Sequence, residues 1–195
     1  MNSNTKIKYI LLLLFAFGTI GSQIKMGDYT DGVASLAGTV GLFFLLTVIV
    51  IIALLKNMYD KYKYNQRFKP EPLIIWIVTL FTTIFLMSFD DGKFFAKKIA
   101  ECSVQNPTKR MGMLTLYDDG EFYAKIVHHE IVECYNGNYT IGLDTLRLNR
   151  SDIVSVTDST FSKVYFVDRQ NCYLISKSTS DSLKIDTDSF CKSVK

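Results

Sequence analysis

The first 101 residues of this chain contain no cysteine, and three apolar stretches within its first 89 residues contain no charged residue. Histidine is nearly missing as well, since His128 and His129 are the only two in the sequence. Each shortage excludes some chemistry. Two adjacent histidines cannot provide a spaced set of metal ligands, and no pair of cysteines has the close Cys-x-x-Cys spacing of a zinc site. No nucleotide-binding loop and no nucleophile elbow occurs. Without an ionisable residue inside the apolar stretches there is no proton or ion relay, which disfavours an autonomous transporter, although a pore assembled from several copies stays open.

What is present divides the chain in two. Overall values of 48% hydrophobic, 21% charged and net charge +3 hide the division, because the apolar residues are concentrated at the start. Crossing a hydrocarbon core of roughly 30 Å takes about 20 apolar residues in a helix. Gly32 to Leu55, between Asp31 and Lys56, meets that length with a nearly unbroken core from Leu42. Pro72 to Phe89, between Glu71 and Asp90, is a second such run; Pro72 suits a first helical turn and Trp76 a membrane interface. Tyr9 to Ile24 is only 16 residues long and follows Lys6 and Lys8. We read it as a short retained span, with a signal-peptide core as the alternative, since Thr19, Gly21 and Ser22 supply small residues for cleavage. The expected organisation is a membrane domain over 1–89 with spans near 9–24, 32–55 and 72–89, a juxtamembrane linker over 90–110, and a soluble β domain over 111–195.

Basic residues set the expected orientation. Lys56, Lys61, Lys63, Arg67 and Lys69 crowd the second loop, and such loops stay in the cytoplasm. Alternation then places the amino terminus inside and the carboxy-terminal domain outside, with Lys93, Lys97 and Lys98 arguing the other way. Tyr62, Tyr64 and Phe68, interleaved with these lysines, point to anionic membrane lipid and topology control rather than to nucleic acid. The four cysteines, Cys102, Cys134, Cys172 and Cys191, all fall in the β domain, an even number that suits two disulfides in an oxidising compartment. Three pairings exist. Cys102 with Cys191 is preferred because the two flank the domain, and four reduced buried thiols are the alternative.

Between Asp90 and Arg110, Phe94, Phe95, Ile99 and Cys102 against Lys93, Lys97, Lys98 and Glu101 suggest a short amphipathic helix, ended by Pro107. From Met113 the period changes to two. Leu114 and Leu116 alternate with Thr115 and Tyr117, Asp118-Asp119-Gly120 turns the chain, and Phe122, Ala124 and Ile126 continue on a second strand. Asn136-Gly137 reads as another turn, between Ile131–Tyr135 and Asn138–Leu143, and a third lies near Asp144 before Leu146 and Leu148. Strands also fit Lys163–Asp168 and Cys172–Ser176, joined by a turn over Arg169–Asn171. The expected fold class is therefore membrane α plus soluble β, three transmembrane helices followed by a small antiparallel β-barrel or β-sandwich.

The segment Leu114-Thr115-Leu116-Tyr117-Asp118-Asp119-Gly120-Glu121-Phe122, followed by Gly137-Asn138-Tyr139-Thr140-Ile141 and Asp144-Thr145-Leu146-Arg147-Leu148, resembles the small lipocalin-like β-meanders of bacterial envelope proteins. The resemblance covers about residues 113–149. It implies a binding or scaffolding domain rather than a catalytic one, in a bacterial envelope setting, and with the apolar stretches the expected location is the bacterial inner membrane.

His128, His129 and Glu130 are read as a solvated strand end, since neighbouring strand residues face opposite sides. No catalytic residue, metal or cofactor is expected, and Asn138-Tyr139-Thr140 and Asn149-Arg150-Ser151 are read as chance matches to the N-glycosylation pattern. Ala34 with Gly38, and Ala37 with Gly41, place small residues four apart for close helix packing, as Gly18 and Ser22 do in the first span. Packing within the three helices is preferred over packing between copies. The expected function is a non-catalytic membrane protein whose extracytoplasmic β domain binds a protein partner, as an immunity factor or an accessory subunit of an envelope complex would. Tyr117, Tyr123 and Tyr165 are the candidate contacts if exposed. The alternative is an oligomeric membrane-perturbing or pore-forming effector regulated by its β domain. A lipocalin-like pocket for a hydrophobic ligand is a third reading.

Overall fold

The computed structural model describes residues 3–25, 27–89, 92–93, 95–104, 111–178, 182–187 and 190–191. These form two units: one holds the three long helices, and the other holds all the strands, including residues 27–32 from the connection between the first two helices.

In the helical unit, α1 spans Ser3–Gly21, α2 Val33–Tyr64 and α3 Glu71–Met87. Among the described residues one helix, α2, is long and apolar enough by length and composition to cross a membrane, where the sequence led us to expect three. The differences have a plain origin. The first apolar run reaches Ile24, but its helix ends at Gly21. At 17 residues α3 rises only about 26 Å, somewhat short of the roughly 30 Å hydrocarbon core. Helix α3 does begin as its sequence suggests, with Pro72 in the first turn, where a missing N–H costs nothing.

The helices meet through Leu12 and Ala16 of α1 and Leu46 and Val50 of α2, with the Phe43 and Trp76 rings alongside, tilted by 36° and 5.6 Å apart between centroids. Several polar groups of these helices find partners among themselves: Gln23 Nε2 donates to Thr39 Oγ1 at 2.7 Å, Ser22 Oγ lies 3.0 Å from the same atom, and Trp76 Nε1 donates to Thr47 Oγ1 at 2.9 Å. A Cβ on Gly18 would sit at ordinary contact distance, 3.8 Å, from the Leu42 side chain, so α1 and α2 do not need a glycine there to meet. The preferred intramolecular role of Ala34, Ala37, Gly38 and Gly41 does not hold. All four are exposed, and a Cβ on Gly38 or Gly41 would meet nothing within 4 Å. The inward stripe of α2 is instead Thr39, Leu46, Val50 and Ala53.

The second unit is an antiparallel barrel. Its strands are β1 Tyr29–Gly32, β2 Lys98–Val104, β3 Met111–Tyr117, β4 Glu121–His128, β5 Ile131–Ile141, β6 Thr145–Leu148, β7 Val164–Asp168, β8 Tyr173–Ser176 and β9 Ser182–Ile185, with a short helix α4 over Ile153–Val156. From β2 to β9 each strand pairs with the next in sequence, and β9 returns to β2, closing eight strands up and down. Closure removes the open edges that invite aggregation. The long strand β5 makes this compatible with a ninth strand: Tyr139–Ile141 pair with β6 inside the closed ring, while Ile131–Cys134 pair with β1.

Alternation directs Leu114, Leu116, Phe122, Ala124, Ile126, Leu146, Leu148, Leu174 and Leu183 inward, all at most 1% exposed. An eight-stranded barrel is just wide enough for side chains to fill. Ile153 of α4 and Phe161, from the connection between β6 and β7, join the same core.

Several expectations change here. The segment read as an amphipathic helix over 90–110 contains strand β2, with Ala100 and Cys102 in the barrel core; Phe94 and Pro107 of that reading lie outside the described residues. The β domain accordingly starts before residue 111. Asn136-Gly137 is no turn but the middle of β5, where Gly137 sits opposite Phe122. A Cβ on Gly137 would come within 2.7 Å of the Phe122 ring, so this glycine serves packing rather than reversal. Turns at 118–120, near Asp144 and at 169–171 lie where expected.

Candidate functional site

The densest polar constellation surrounds Arg150, just after β6. Its Nε donates to Asp152 Oδ1 at 2.8 Å and one Nη to Asp152 Oδ2 at 3.0 Å. Both Nη groups donate to Asp28, at 2.5 Å each, and one also donates to the carbonyl of Asn136 at 2.9 Å. These contacts occupy all five guanidinium N–H donors, in the bidentate geometry that makes arginine–carboxylate pairs directional. The Tyr135 ring lies beneath, 5.5 Å from its centroid to the guanidinium carbon. Asn136 completes the contact, its backbone N–H donating to Asp28 Oδ1 at 3.0 Å and its side-chain amide donating to the carbonyl of Gly27.

Hydrogen bonds from Arg150 hold the Asp28 carboxyl below its ordinary range, and the two carboxylates push Arg150 upward. With its donors taken, Arg150 acts as a latch fastening residues 27–32 to the barrel rather than as an anion receptor.

A second network lies on the outer face of β3, β4 and β5. Tyr29 Oη is 2.8 Å from Tyr123 Oη, which is 2.9 Å from Cys134 Sγ. Tyr117, Tyr123 and Cys134 are buried there, with Tyr29, Ala96 and Val132 packed against them. Burial, before any charge, raises the Tyr29 and Tyr123 hydroxyls well above the ordinary phenol range, which keeps both as neutral hydrogen-bonding groups. A third cluster links Ser162 Oγ to Ser176 Oγ at 2.6 Å, with the Tyr165 hydroxyl accepting from the Ser162 backbone N–H at 2.6 Å. None of these clusters pairs a nucleophile with a general base.

The tyrosines expected as contacts are therefore enclosed: Tyr117 is 0%, Tyr123 2% and Tyr165 2% exposed. Tyr117 and Tyr123 face out from the barrel but are covered, and Tyr165 points into it. Period-two alternation put Tyr117 and Tyr123 on the outer face but could not reveal that Tyr29 and Ala96 cover part of it, and the outward reading of Tyr165 was wrong, since it belongs to the barrel core. The exposed large apolar side chains of the barrel include Phe166 and Ile175, cross-strand neighbours on β7 and β8, and Leu143 in the β5–β6 turn, whose carbonyl accepts from Arg169 at 2.8 Å.

The cysteines also differ from expectation. One disulfide joins Cys172 and Cys191, with Cα atoms 5.8 Å apart, while Cys102 and Cys134 are buried and not disulfide-bonded. The preferred Cys102–Cys191 bridge does not form, because Cys191, packed against the same core as Cys102, is joined to Cys172, and Cys134 lies apart in the outer tyrosine cluster. Burial pushes the Cys102 thiol up to about 12, leaving it protonated and unreactive.

His128 ends β4, with Nε2 3.2 Å from Glu133 Oε2, and His129 and Glu130 form the following turn. Among the described residues no group of three or more histidine, cysteine, aspartate or glutamate side chains is placed to hold a metal ion.

The closed eight-stranded meander is consistent with a lipocalin-like fold, while its interior is filled by its own side chains. No family model matches this chain, and neither the curated proteins nor the solved structures contain a significant match to it.

Proposed function

We propose that this chain is a non-catalytic integral membrane protein that presents its barrel outside the cytoplasm of a bacterial cell to bind a protein partner, as an immunity factor or accessory subunit would. In this reading α1, α2 and α3 all span the inner membrane, the shorter two by local thinning of the bilayer. Large apolar side chains on every helix support it: Leu14, Phe17, Phe44, Ile52, Phe81 and Phe85 are each more than half exposed. Water would penalise such a surface, and lipid would cover it.

Strand β1 supports the topology. It lies between α1 and α2 in the chain yet pairs with β5, so that connection and the barrel must share a compartment. Three alternating spans satisfy this condition. The basic second loop favours the opposite side for itself, and a disulfide between Cys172 and Cys191 suits an oxidising compartment for the barrel.

The observation that carries binding rather than catalysis or ligand transport is the filled barrel. With its interior occupied and Arg150 saturated, recognition falls to the outer surface, where Phe166, Ile175 and Leu143 are exposed. A photocrosslinking residue at Leu143 in intact cells tests this. The expected result is an adduct heavier than the 22.2 kDa chain by an amount that is no multiple of it, abolished by Phe166→Asp. No adduct, or one unaffected by Phe166→Asp, would contradict the reading.

The exposed stripe of Ala34, Ala37, Gly38 and Gly41 favours a second reading, an oligomeric membrane-perturbing effector with a regulatory barrel. Adducts only at multiples of 22.2 kDa would support that reading instead.

A further inference from the structure

At one end of the helical unit, three separate stretches of chain bring cations together. Tyr9 of α1, Leu54 of α2, and Ile75 and Trp76 of α3 belong to one packed cluster, which gathers Lys8, Lys56 and Lys69 at the same end. Asn57, next to Lys56, donates Nδ2 to the carbonyl of Lys69 at 2.9 Å and so pins the α2–α3 linker. Lys56 and Lys69 lie near enough to repel Lys8, and Glu71 and Asp60 near enough to attract it more weakly. Among the described residues none of the three lysines is ion-paired with a carboxylate.

Control of topology needs only basic residues near the ends of spans. It does not need them to converge against their own repulsion. Three ammonium groups gathered at one end, none of them ion-paired among the described residues, are stabilised by an anion, and basic pockets between helices on the cytoplasmic side hold lipid headgroups in this way. We propose that Lys8, Lys56 and Lys69 form a binding site for the phosphate of an anionic phospholipid headgroup. A soluble phosphate offers the same charge, but the neighbouring residues Ile7, Leu55 and Ile74 are each more than half exposed and offer acyl chains an apolar surface that a free ion does not use. Tyr62, 94% exposed, and Tyr59, which accepts from Lys63 Nζ at 2.8 Å, supply amphipathic rings suited to headgroup depth.

The proposal rests on the helical unit being embedded in a membrane. Extraction separates the two: release of the full chain by alkaline carbonate would defeat the membrane reading itself, whereas a detergent-requiring chain without lipid preference would defeat only this site. The full chain, purified in detergent, is titrated with phosphatidylglycerol, with phosphatidylcholine and with inorganic phosphate alone, and bound lipid is read by native mass spectrometry. Phosphatidylglycerol is expected to bind selectively. Replacing Lys8, Lys56 and Lys69 together by glutamine should weaken it on the order of a hundredfold, and replacing Lys61, Lys63 and Arg67, the same charge removed, should change it only a few fold.

Equal retention of phosphatidylcholine, or equal loss in both triple variants, would overturn the site. Competition by inorganic phosphate at matching concentration would overturn the lipid assignment. If the glutamine variant does not fold, the wild-type ranking of the three ligands still decides, and Lys8→Arg with Lys56→Arg and Lys69→Arg should preserve it.

Discussion

Arg150 illustrates how a side chain's role follows from its donor count. All five of its N–H groups are used on Asp28, Asp152 and the Asn136 carbonyl, so its charge serves attachment. Hydrogen bonding from Arg150 depresses the Asp28 pKa, so this contribution is present above the ordinary carboxylate pKa and is lost as pH falls through the lower, folded value. Hydrogen-exchange protection of Tyr29–Gly32 should therefore fall as the pH is taken below about 4, and Asp28→Asn should remove most of that dependence. Protection that stays constant on acidification would show that the latch does not hold β1. Gly137 makes a different residue-scale point. Its Cα faces the Phe122 ring, and Gly137→Ala would place a methyl 2.7 Å from that ring. The expected cost is about 1–3 kcal/mol, read as a lower thermal midpoint of the purified full chain, and an unchanged midpoint would mean that the ring moves freely aside.

Elements were legible in the sequence where period and turn chemistry agreed. Leu114 to Ile126, with Asp118-Asp119-Gly120 between its two strands, could be read because a glycine with φ of 84° closes the turn and alternate residues meet the core. The same signals misled at Asn136-Gly137, since a dipeptide that favours reversal also fits a strand where a neighbouring aromatic ring needs space. Strand β2 was hidden because Ile99 and Cys102 satisfy a helical spacing, and a register shift between Lys98 and Ala100 breaks its alternation. Strand β9 alternates buried Leu183 and Ile185 with Ser182 and Lys184 just as the equally short β6 and β8 do, and went unread, while β1 gains its strand character from β5 rather than from its own sequence. Nothing in local sequence announces that Asp28 will meet Arg150, so the latch was invisible, as was the cover over Tyr117 and Tyr123. The lysines of the second loop were plain, but not their convergence with Lys8.

At the scale of the whole molecule, one chain holds a helical unit with an apolar exterior and a closed barrel with a filled interior. Strand β1 belongs by sequence to the connection between α1 and α2 and by hydrogen bonding to the barrel, which ties the compartment of one to that of the other. The central claim is that the barrel lies outside the cytoplasm while the loop carrying Lys56 to Lys69 lies inside. Cys102 and Cys134 are buried and Cys172 is bridged to Cys191, so the native cysteines report this directly. A membrane-impermeant maleimide applied to intact spheroplasts should label the folded chain only after mild reduction, at Cys172 and Cys191, without any need for lysis. Labelling of those two cysteines only after lysis, and without reductant, would place the barrel in the cytoplasm and contradict the account.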